Sequence, residues 1–315
     1  MYIGIDLGGT KIAAAITDHS GENIVNKIIR PTEAGKGRNH VTNNVFACID
    51  QLLENNPGDS LKAIGIGIPG RIKNDIILNA PNLTCWENIN PVDLLQERYK
   101  KPVFTDNDAN TAALAELLFG AGKGHEDFLY MTISTGIGGG IICNGKLLVG
   151  HNHLAGEIGH TIIIPGGTKC GCGQMGCLEA MASGTHLTNR LRKRLVNDRP
   201  DSLILKLANN NPELATTRHI AEAALQGDIF AIDLIKENAY YVALGINNYI
   251  HMLDPELIII GGGLANFGDI FFDEINAQLR KIHKNEGVVL PDVVRSPLDQ
   301  DSGLLGAVAL AIEGE

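Results

Sequence analysis

Tyr2-Ile3-Gly4-Ile5-Asp6-Leu7-Gly8-Gly9-Thr10-Lys11-Ile12-Ala13-Ala14-Ala15-Ile16 opens the chain. Apolar runs on both sides of Gly8-Gly9 read as two strands joined by a tight turn, a β-hairpin in which the glycines supply positive φ. The backbone N–H groups of such a turn line a concavity suited to an anion. Asp6, at the end of the first strand, is then placed to hold a hydrated Mg²⁺ beside phosphates; the plainer alternative is a hairpin with a turn aspartate. The spacing is not that of a Walker A loop, G-x-x-x-x-G-K-[ST]. The pattern returns after about 125 residues. A strand over 127–133 leads into Ser134-Thr135-Gly136-Ile137-Gly138-Gly139-Gly140, then strands over 141–144 and near 146–149. Strand, glycine turn, strand, each time leading on to helices, implies a duplicated domain with a ligand between the copies.

Between the two hairpins the sequence predicts a strand over 23–30 and a helix over 41–54, with Val45, Ile49, Leu52 and Leu53 at helical spacing. A buried strand over 61–68 ends in Pro69-Gly70. A short strand over 102–105 delivers Asp106-Asn107-Asp108-Ala109-Asn110, and a helix over 111–119 follows with Asp108 near its N-cap. A cap accounts for one aspartate. It does not account for three adjacent hydrogen-bonding side chains at the carboxyl end of a strand, where α/β sheets bind ligands.

Past residue 184 the chain is helical over 184–196, 203–208, 217–226 and 229–252. The first of these ends in a basic run that reads as a solvated face, and the last is apolar on most sides and expected to be the central buried helix. A strand over 257–260 enters Gly261-Gly262-Gly263, a backbone that a flat ring can approach or a simple strand-to-helix turn. A helix over 270–283, a strand over 292–295 and a helix over 304–313 close the chain.

The second informative region is Gly156-Glu157-Ile158-Gly159-His160 with Cys170-Gly171-Cys172-Gly173-Gln174-Met175-Gly176-Cys177-Leu178-Glu179. Three cysteines and a histidine at this spacing match the Cys₃His set of structural zinc. The intervening glycines let the backbone turn tightly enough for the thiolates to converge. A disulfide between cysteines next but one to each other is strained. The N-terminus has neither the basic nor the apolar region of a secretory signal, and a cytoplasmic cysteine cluster is more often metal-binding or catalytic. Cys48, Cys85 and Cys143 read as ordinary core residues. Glu157 and Glu179 flank the metal group although structural zinc does not require them, which suggests a pocket for a ligand rich in hydroxyls.

The 315 residues, 44% hydrophobic and 20% charged, fit one large or two medium globular domains. No apolar run reaches the roughly 18 residues of a membrane span. A net charge of -10 offers nucleic acid no basic footprint and disfavours anionic membranes. A nucleotide would be held through backbone dipoles and a metal ion, and the clustering of the 37 glycines suits backbone-lined sites.

Taken in this order, Asp6-Leu7-Gly8-Gly9-Thr10-Lys11, Asp106-Asn107-Asp108-Ala109-Asn110, the glutamate–histidine and cysteine segments, and Gly261-Gly262-Gly263 resemble the ROK family of bacterial sugar kinases, its glucokinases most of all, over essentially the whole chain. The resemblance implies an actin-like, ribonuclease-H-like α/β fold of two domains with a cleft between them, the smaller over 1–119 plus 298–315 and the larger, with a zinc loop, over 120–297. It implies an ATP-dependent hexose kinase in which Asp108 is the catalytic base. Asn107 and Asp108 would hold the distal hydroxyls of the sugar, and Glu157, His160 and Glu179 those near the anomeric end. Gly70 and Asn82, the latter in Ala80-Pro81-Asn82-Leu83, would lie by the sugar. His160, Cys170, Cys172 and Cys177 would bind one structural Zn²⁺. Gly8, Gly9, Thr10 and Lys11, with Asp6, and Thr135, Gly136 and Gly138 would face ATP and its Mg²⁺, and Gly261, Gly262 and Gly263 the adenosine. A cytoplasmic homodimer or dimer of dimers is implied, with no nucleic-acid or membrane partner. Family kinases for N-acetylmannosamine, N-acetylglucosamine, fructose and allose share this framework. Repressors of the family carry an N-terminal helix-turn-helix, whereas this chain starts at the first strand, so a sugar-responsive regulator is the lesser expectation. A chaperone or filament protein on the same fold would not need carboxylates around a zinc knot.

Overall fold

The structure, a computed structural model, describes residues 1–57, 60–198, 200–284, 287–298 and 301–315. They form two compact units, one of Met1–Glu126, Gly140–Gly156 and Pro297–Glu315, the other of Asp127–Gly139 and Glu157–Ser296.

In the first unit β1 (Tyr2–Leu7) turns back into β2 (Lys11–Thr17), with Leu7 opposite Ile12 and Ile3 opposite Ile16. β3 (Ile24–Pro31) adds antiparallel to β2 and leads to α1 (Arg38–Glu54), which buries Val41, Val45, Ile49 and Leu52. β4 (Ala63–Ile68) pairs parallel with β1. All six of its residues are buried, as befits a strand covered on both faces. A small hairpin, β5 (Arg71–Lys73) and β6 (Ile76–Asn79), and a helix, α2 (Pro91–Tyr99), intervene before β7 (Val103–Asn107) pairs parallel with β4. None of these three inserted elements is announced by the sequence pattern. β7 runs straight into α3 (Asp108–Phe119). The strand order is β3-β2-β1-β4-β7.

A second five-stranded sheet and its helices repeat the plan. β8 (Phe128–Ile133) is followed by β9 (Ile137–Cys143) and β10 (Lys146–Leu147), then by α4 (Leu178–Ala182), α5 (Gly184–Asn197), α6 (Leu203–Leu207), α7 (Thr217–Leu225) and α8 (Ile229–Leu253). β11 (Leu257–Gly261), α9 (Asp269–Ile282) and β12 (Asp292–Arg295) complete it, in the order β10-β9-β8-β11-β12 with β11 parallel to β8 and β12. Three consecutive strands and then two parallel ones occupy corresponding places in both sheets, so the echo read in the sequence is a repeat of topology. As expected, α8 is a core helix; its buried Asn238 donates to the Ala182 carbonyl at 3.1 Å.

The division of the chain differs from the one expected at residue 119: residues 120–126 and 140–156 belong to the first unit. Gly140 lies tight on α3, where a Cβ would come within 2.6 Å of the Ala113 side chain.

α10 (Ser302–Glu313) returns to the first unit and covers the face of the sheet opposite α1. Its approach is governed by glycine. A Cβ at Gly65 of β4 would sit 1.8 Å from the Ala307 carbonyl oxygen, and one at Gly4 of β1 would sit 2.6 Å from the Val308 side chain. On the other side of the helix, a Cβ at Gly306 would lie 2.4 Å from the Thr111 carbonyl on α3. Gly65→Ala is therefore expected to push α10 off the sheet and to destabilise the protein by about 1–3 kcal/mol, the usual range for overpacking, which a lowered denaturation midpoint at unchanged slope reports.

Candidate active site

The glycine turn of the first unit is held by Thr32. Gly8 N–H donates to the Lys11 carbonyl at 2.9 Å, the Thr32 hydroxyl to the Gly8 carbonyl at 2.6 Å, and Thr32 N–H to the Thr10 carbonyl at 2.9 Å. Contrary to expectation, neither Gly8 nor Gly9 has a positive φ. Glycine is required at position 9 for space: a Cβ there would meet the Asn82 carbonyl oxygen at 2.4 Å. The turn and the Asn82 loop thus fit backbone to backbone. Asp6 stands just before the turn, half-buried, with its carboxyl pushed up by burial and drawn back by Lys11 and Lys27.

The Asp106-Asn107-Asp108 cluster is shaped by the junction of β7 and α3. The helix cap is Asn107, not Asp108: its Oδ1 accepts the Ala109 N–H at 2.9 Å. Its Nδ2 donates to the Gly70 carbonyl at 2.7 Å. Gly70 itself has φ of 114°, in the left-handed region that favours glycine, and a Cβ would lie 2.1 Å from the Asn79 carbonyl. Asp106 is largely inward-facing. Its Oδ1 accepts from Asn107 N–H at 2.6 Å and Asn110 Nδ2 at 2.9 Å, and burial pushes its carboxyl up while Asn110, the Asn107 N–H and His153 pull it down. These contacts leave Asp108, the first helical residue, exposed to solvent, with its Oδ1 2.9 Å from Ala109 N–H. An accessible carboxylate on the first turn of a helix is favoured by the helix dipole and held in one direction.

In the second unit, one donor atom from each of His160, Cys170, Cys172 and Cys177 lies within 4.8 Å of the others. His160 Nδ1 is 3.7 Å from Cys170 Sγ, and Cys172 Sγ is 3.7 Å from Cys177 Sγ. A tetrahedron with zinc–sulfur bonds near 2.3 Å has edges of about 3.8 Å, so the donor set and its spacing fit a zinc ion. Positive φ at Gly173 and Gly176 closes the loop, and a Cβ at Gly176 would strike the Ile164 carbonyl at 1.7 Å. Burial, with the neighbouring Cys172 and Cys170, pushes the Cys177 thiol up to about 12. The backbone N–H of Gln174 draws Cys172 down. Three sulfurs this close become thiolates together only around a cation.

His160 ends a one-turn helix, Ile158–His160, fixed from below by Tyr249. The buried Tyr249 hydroxyl donates to the Ile158 carbonyl at 2.6 Å and lies 2.7 Å from the Thr161 hydroxyl. Burial raises it to about 12, so it stays a donor. With Nδ1 turned toward the sulfurs, the second ring nitrogen, Nε2, is 3.8 Å from Glu157 Oε2. Glu179, in the first turn of α4, also reaches the glycine turn between β8 and β9: its Oε2 accepts the Ile137 N–H at 3.0 Å. Its Oε1 lies 3.8 Å from Cys170 Sγ.

A cavity of about 370 Å³ opens beside that turn, lined among others by Ser134, Thr135, Thr185, Thr188, Arg192 and Gly263. Of the three consecutive glycines only Gly263 lines it. Gly261 is fitted against the Tyr130 hydroxyl, and Gly262, at φ 84°, against Ile133. The basic end of α5, expected to be a solvated face, is not wholly one. Arg192 instead lines the cavity, with its Nε donating to the Ala215 carbonyl at 3.0 Å. The signal was present in the spacing: Thr185, Thr188 and Arg192 fall on one helical face. Tyr249 and Thr32 leave no such trace, since both act through single contacts distant in sequence.

Residues 2–314 match the description of the ROK family. A glucokinase of Thermotoga maritima is 38% identical over 313 residues, 99% of this chain and 97% of that protein. A xylose repressor of Caldicellulosiruptor bescii is 30% identical over 98% of this chain and 77% of its own. Among solved structures, a ROK family glucokinase from Streptomyces griseus in complex with glucose and AMPPNP superposes with a TM-score of 0.84 at 34% identity, covering 99% of each chain. A ROK hexokinase from Thermus thermophilus superposes at 0.82 and 33%, over 99% and 98%. With the duplicated actin-like topology and a match from end to end, this chain belongs to the ROK family.

Proposed function

We propose that the chain is an ATP-dependent glucokinase that transfers the γ-phosphate of ATP to the 6-hydroxyl of glucose. The observation that carries the reading is Asp108, an accessible carboxylate fixed at the carboxyl end of a parallel strand in a unit that also presents a glycine turn. The likeness to glucokinases at 35–38% identity, above that to the repressor at 30%, supports glucose as substrate and catalysis over regulation.

Phosphoryl transfer asks for alignment and charge neutralisation more than covalent help. As the sugar oxygen bonds to the γ-phosphorus and the bond from phosphorus to the ADP oxygen breaks, the hydroxyl proton passes to Asp108. A general base of this kind contributes typically 10²–10⁴-fold. Asn107 fixes the base through its cap and its bond to Gly70, and one N–H of its amide remains for a sugar hydroxyl. In this reading Gly70 acts through Asn107, and Asn82 lies by the same ligand. Glu157, His160 Nε2 and Glu179 take the hydroxyls near the anomeric carbon. The N–H groups of Gly8–Lys11 and of Thr135, Gly136 and Gly138 receive the phosphates, and the cavity beside Gly263 takes the nucleoside, with Gly261 and Gly262 supporting its wall. Asp6 would hold the Mg²⁺ that accompanies the nucleotide, which would supply charge neutralisation at the phosphates. Zn²⁺, when held by His160, Cys170, Cys172 and Cys177, fixes the tautomer and direction of His160. Reduced cysteines suit the cytoplasm, and among the described residues no helix is long and apolar enough to cross a membrane.

ADP release measured with and without a panel of hexoses tests the activity: glucose is expected to give the highest kcat/KM, and sugar-independent turnover or none would reject the reading. Asp108→Asn keeps the shape and removes the base, so kcat is expected to fall about 10²–10⁴-fold with little change in glucose KM; near-normal kcat would remove Asp108 from its role. Stripping zinc, or making Cys172→Ala, is expected to weaken glucose binding by at least about tenfold while far-UV circular dichroism still shows a folded chain. A homodimer, or a dimer of dimers, is the expected assembly, and light scattering that gives a monomer mass at micromolar concentration would count against it.

A further inference from the structure

We propose that Glu179 is a positioning residue for the phosphate turn of the second unit, so that a carboxylate assigned to the hexose also holds the turn that receives ATP. The inference rests on the kinase reading above, in which Thr135–Gly138 face the phosphates.

The turn between β8 and β9 is closed by Ser134 N–H donating to the Gly136 carbonyl at 2.9 Å. It is anchored from two sides. On one, the Thr135 carbonyl accepts the Thr185 hydroxyl at 2.8 Å and the Thr185 N–H at 3.3 Å, tying the turn to α5 and the nucleoside cavity. On the other, Glu179 Oε2 accepts the N–H of the buried Ile137 at 3.0 Å. The residue type at 136 follows from this second anchor. Gly136 has no positive φ, so its backbone would accept alanine. A Cβ there would lie 2.6 Å from Glu179 Oε2, so a side chain at 136 requires the carboxylate to move away from Ile137. The glycine is shaped to the carboxylate rather than to a turn type.

The same device occurs independently in the first unit. Gly9 also lacks a positive φ, and a Cβ there would strike the Asn82 carbonyl. In both units a glycine of the turn makes room for a residue assigned to the hexose. Without the Glu179 acceptor, the Ile137 N–H would be left buried and unpaired and the turn released on that side, which costs nucleotide affinity by misplacing its donors.

The test is binding of MgADP in the absence of hexose, by titration calorimetry on the zinc-loaded protein. Glu179→Ala is expected to weaken MgADP by about tenfold, the scale of one lost hydrogen bond to a charged group. Glu179→Gln, whose amide oxygen still accepts from Ile137, is expected to stay within about twofold of wild type for MgADP, since the bond survives. Gly136→Ala is expected to weaken MgADP by a similar factor, and Gly136→Ala combined with Glu179→Ala to be no worse than Glu179→Ala alone. MgADP affinity unchanged in Glu179→Ala while glucose KM rises would overturn the proposal and leave Glu179 a sugar residue only. Losses that add in the double variant, or a loss in Glu179→Gln equal to that in Glu179→Ala, would also overturn it. If Glu179→Ala does not fold, wild-type MgADP affinity in Gly136→Ala overturns it instead. Wild-type protein that binds no MgADP would overturn the kinase reading and this inference together, a result distinct from any difference among the variants.

Discussion

The contact on which the first unit depends is the seat of the Ala307 carbonyl against the bare backbone of Gly65. It lets α10 lie close enough to bury Val308 and Ala311 against Tyr2 and Ala63. That burial stabilises one face of a sheet whose other face is already covered by α1. The three parallel strands β1, β4 and β7 are then fixed in register, with Asp6 opposite Gly67 and Gly67 opposite Asp106. Their carboxyl ends bring the glycine turn, Gly70 and the Asp106-Asn107-Asp108 cluster to one edge. The chemistry proposed for Asp108 is thus a consequence of how near a helix can approach a sheet.

Local economy shapes the polar groups at that edge. Asn107 caps α3 and bonds Gly70 with the two ends of one amide. Asp106 is spent on Asn110 and on the Asn107 N–H. Asp108 alone of the three faces water. An exposed carboxylate that follows two inward-turned neighbours is held in place and stays within reach of a ligand.

How far these features could be read from the sequence depended on whether their cause was local. The two glycine hairpins, the apolar periodicity of α1 and α8, and the Cys₃His spacing are local patterns, and the structure bears them out. The reason for glycine at 9 is not legible locally, because a close approach by Asn82 from seventy-odd positions away looks in sequence like a demand for positive φ. The cap assignment slipped by one residue for a similar reason, since both Asn107 and Asp108 are good caps and only the Gly70 carbonyl decides between them. The short hairpin β5–β6 and helix α2 lack the length for a clear period, and the cavity-facing role of Arg192 was hidden behind a run of basic residues that elsewhere pair with Glu237.

The order in which the chain is made acts unequally on the two units. The second is built mostly from one uninterrupted stretch, 157–296, joined to 127–139. The first is begun at Met1 and finished only by Pro297–Glu315, because α10 is the last element in the sequence. Until α10 has been made, the face of β1 and β4 that it covers stays open, presenting Tyr2 and Ala63 to solvent. Long-range closures of this kind are slow and leave apolar surface exposed in the meantime. Shortening α10 back past Val308 would strip that face of both Val308 and Ala311, so closure of the first sheet is decided by residues 302–313 rather than by the hairpin with which it begins.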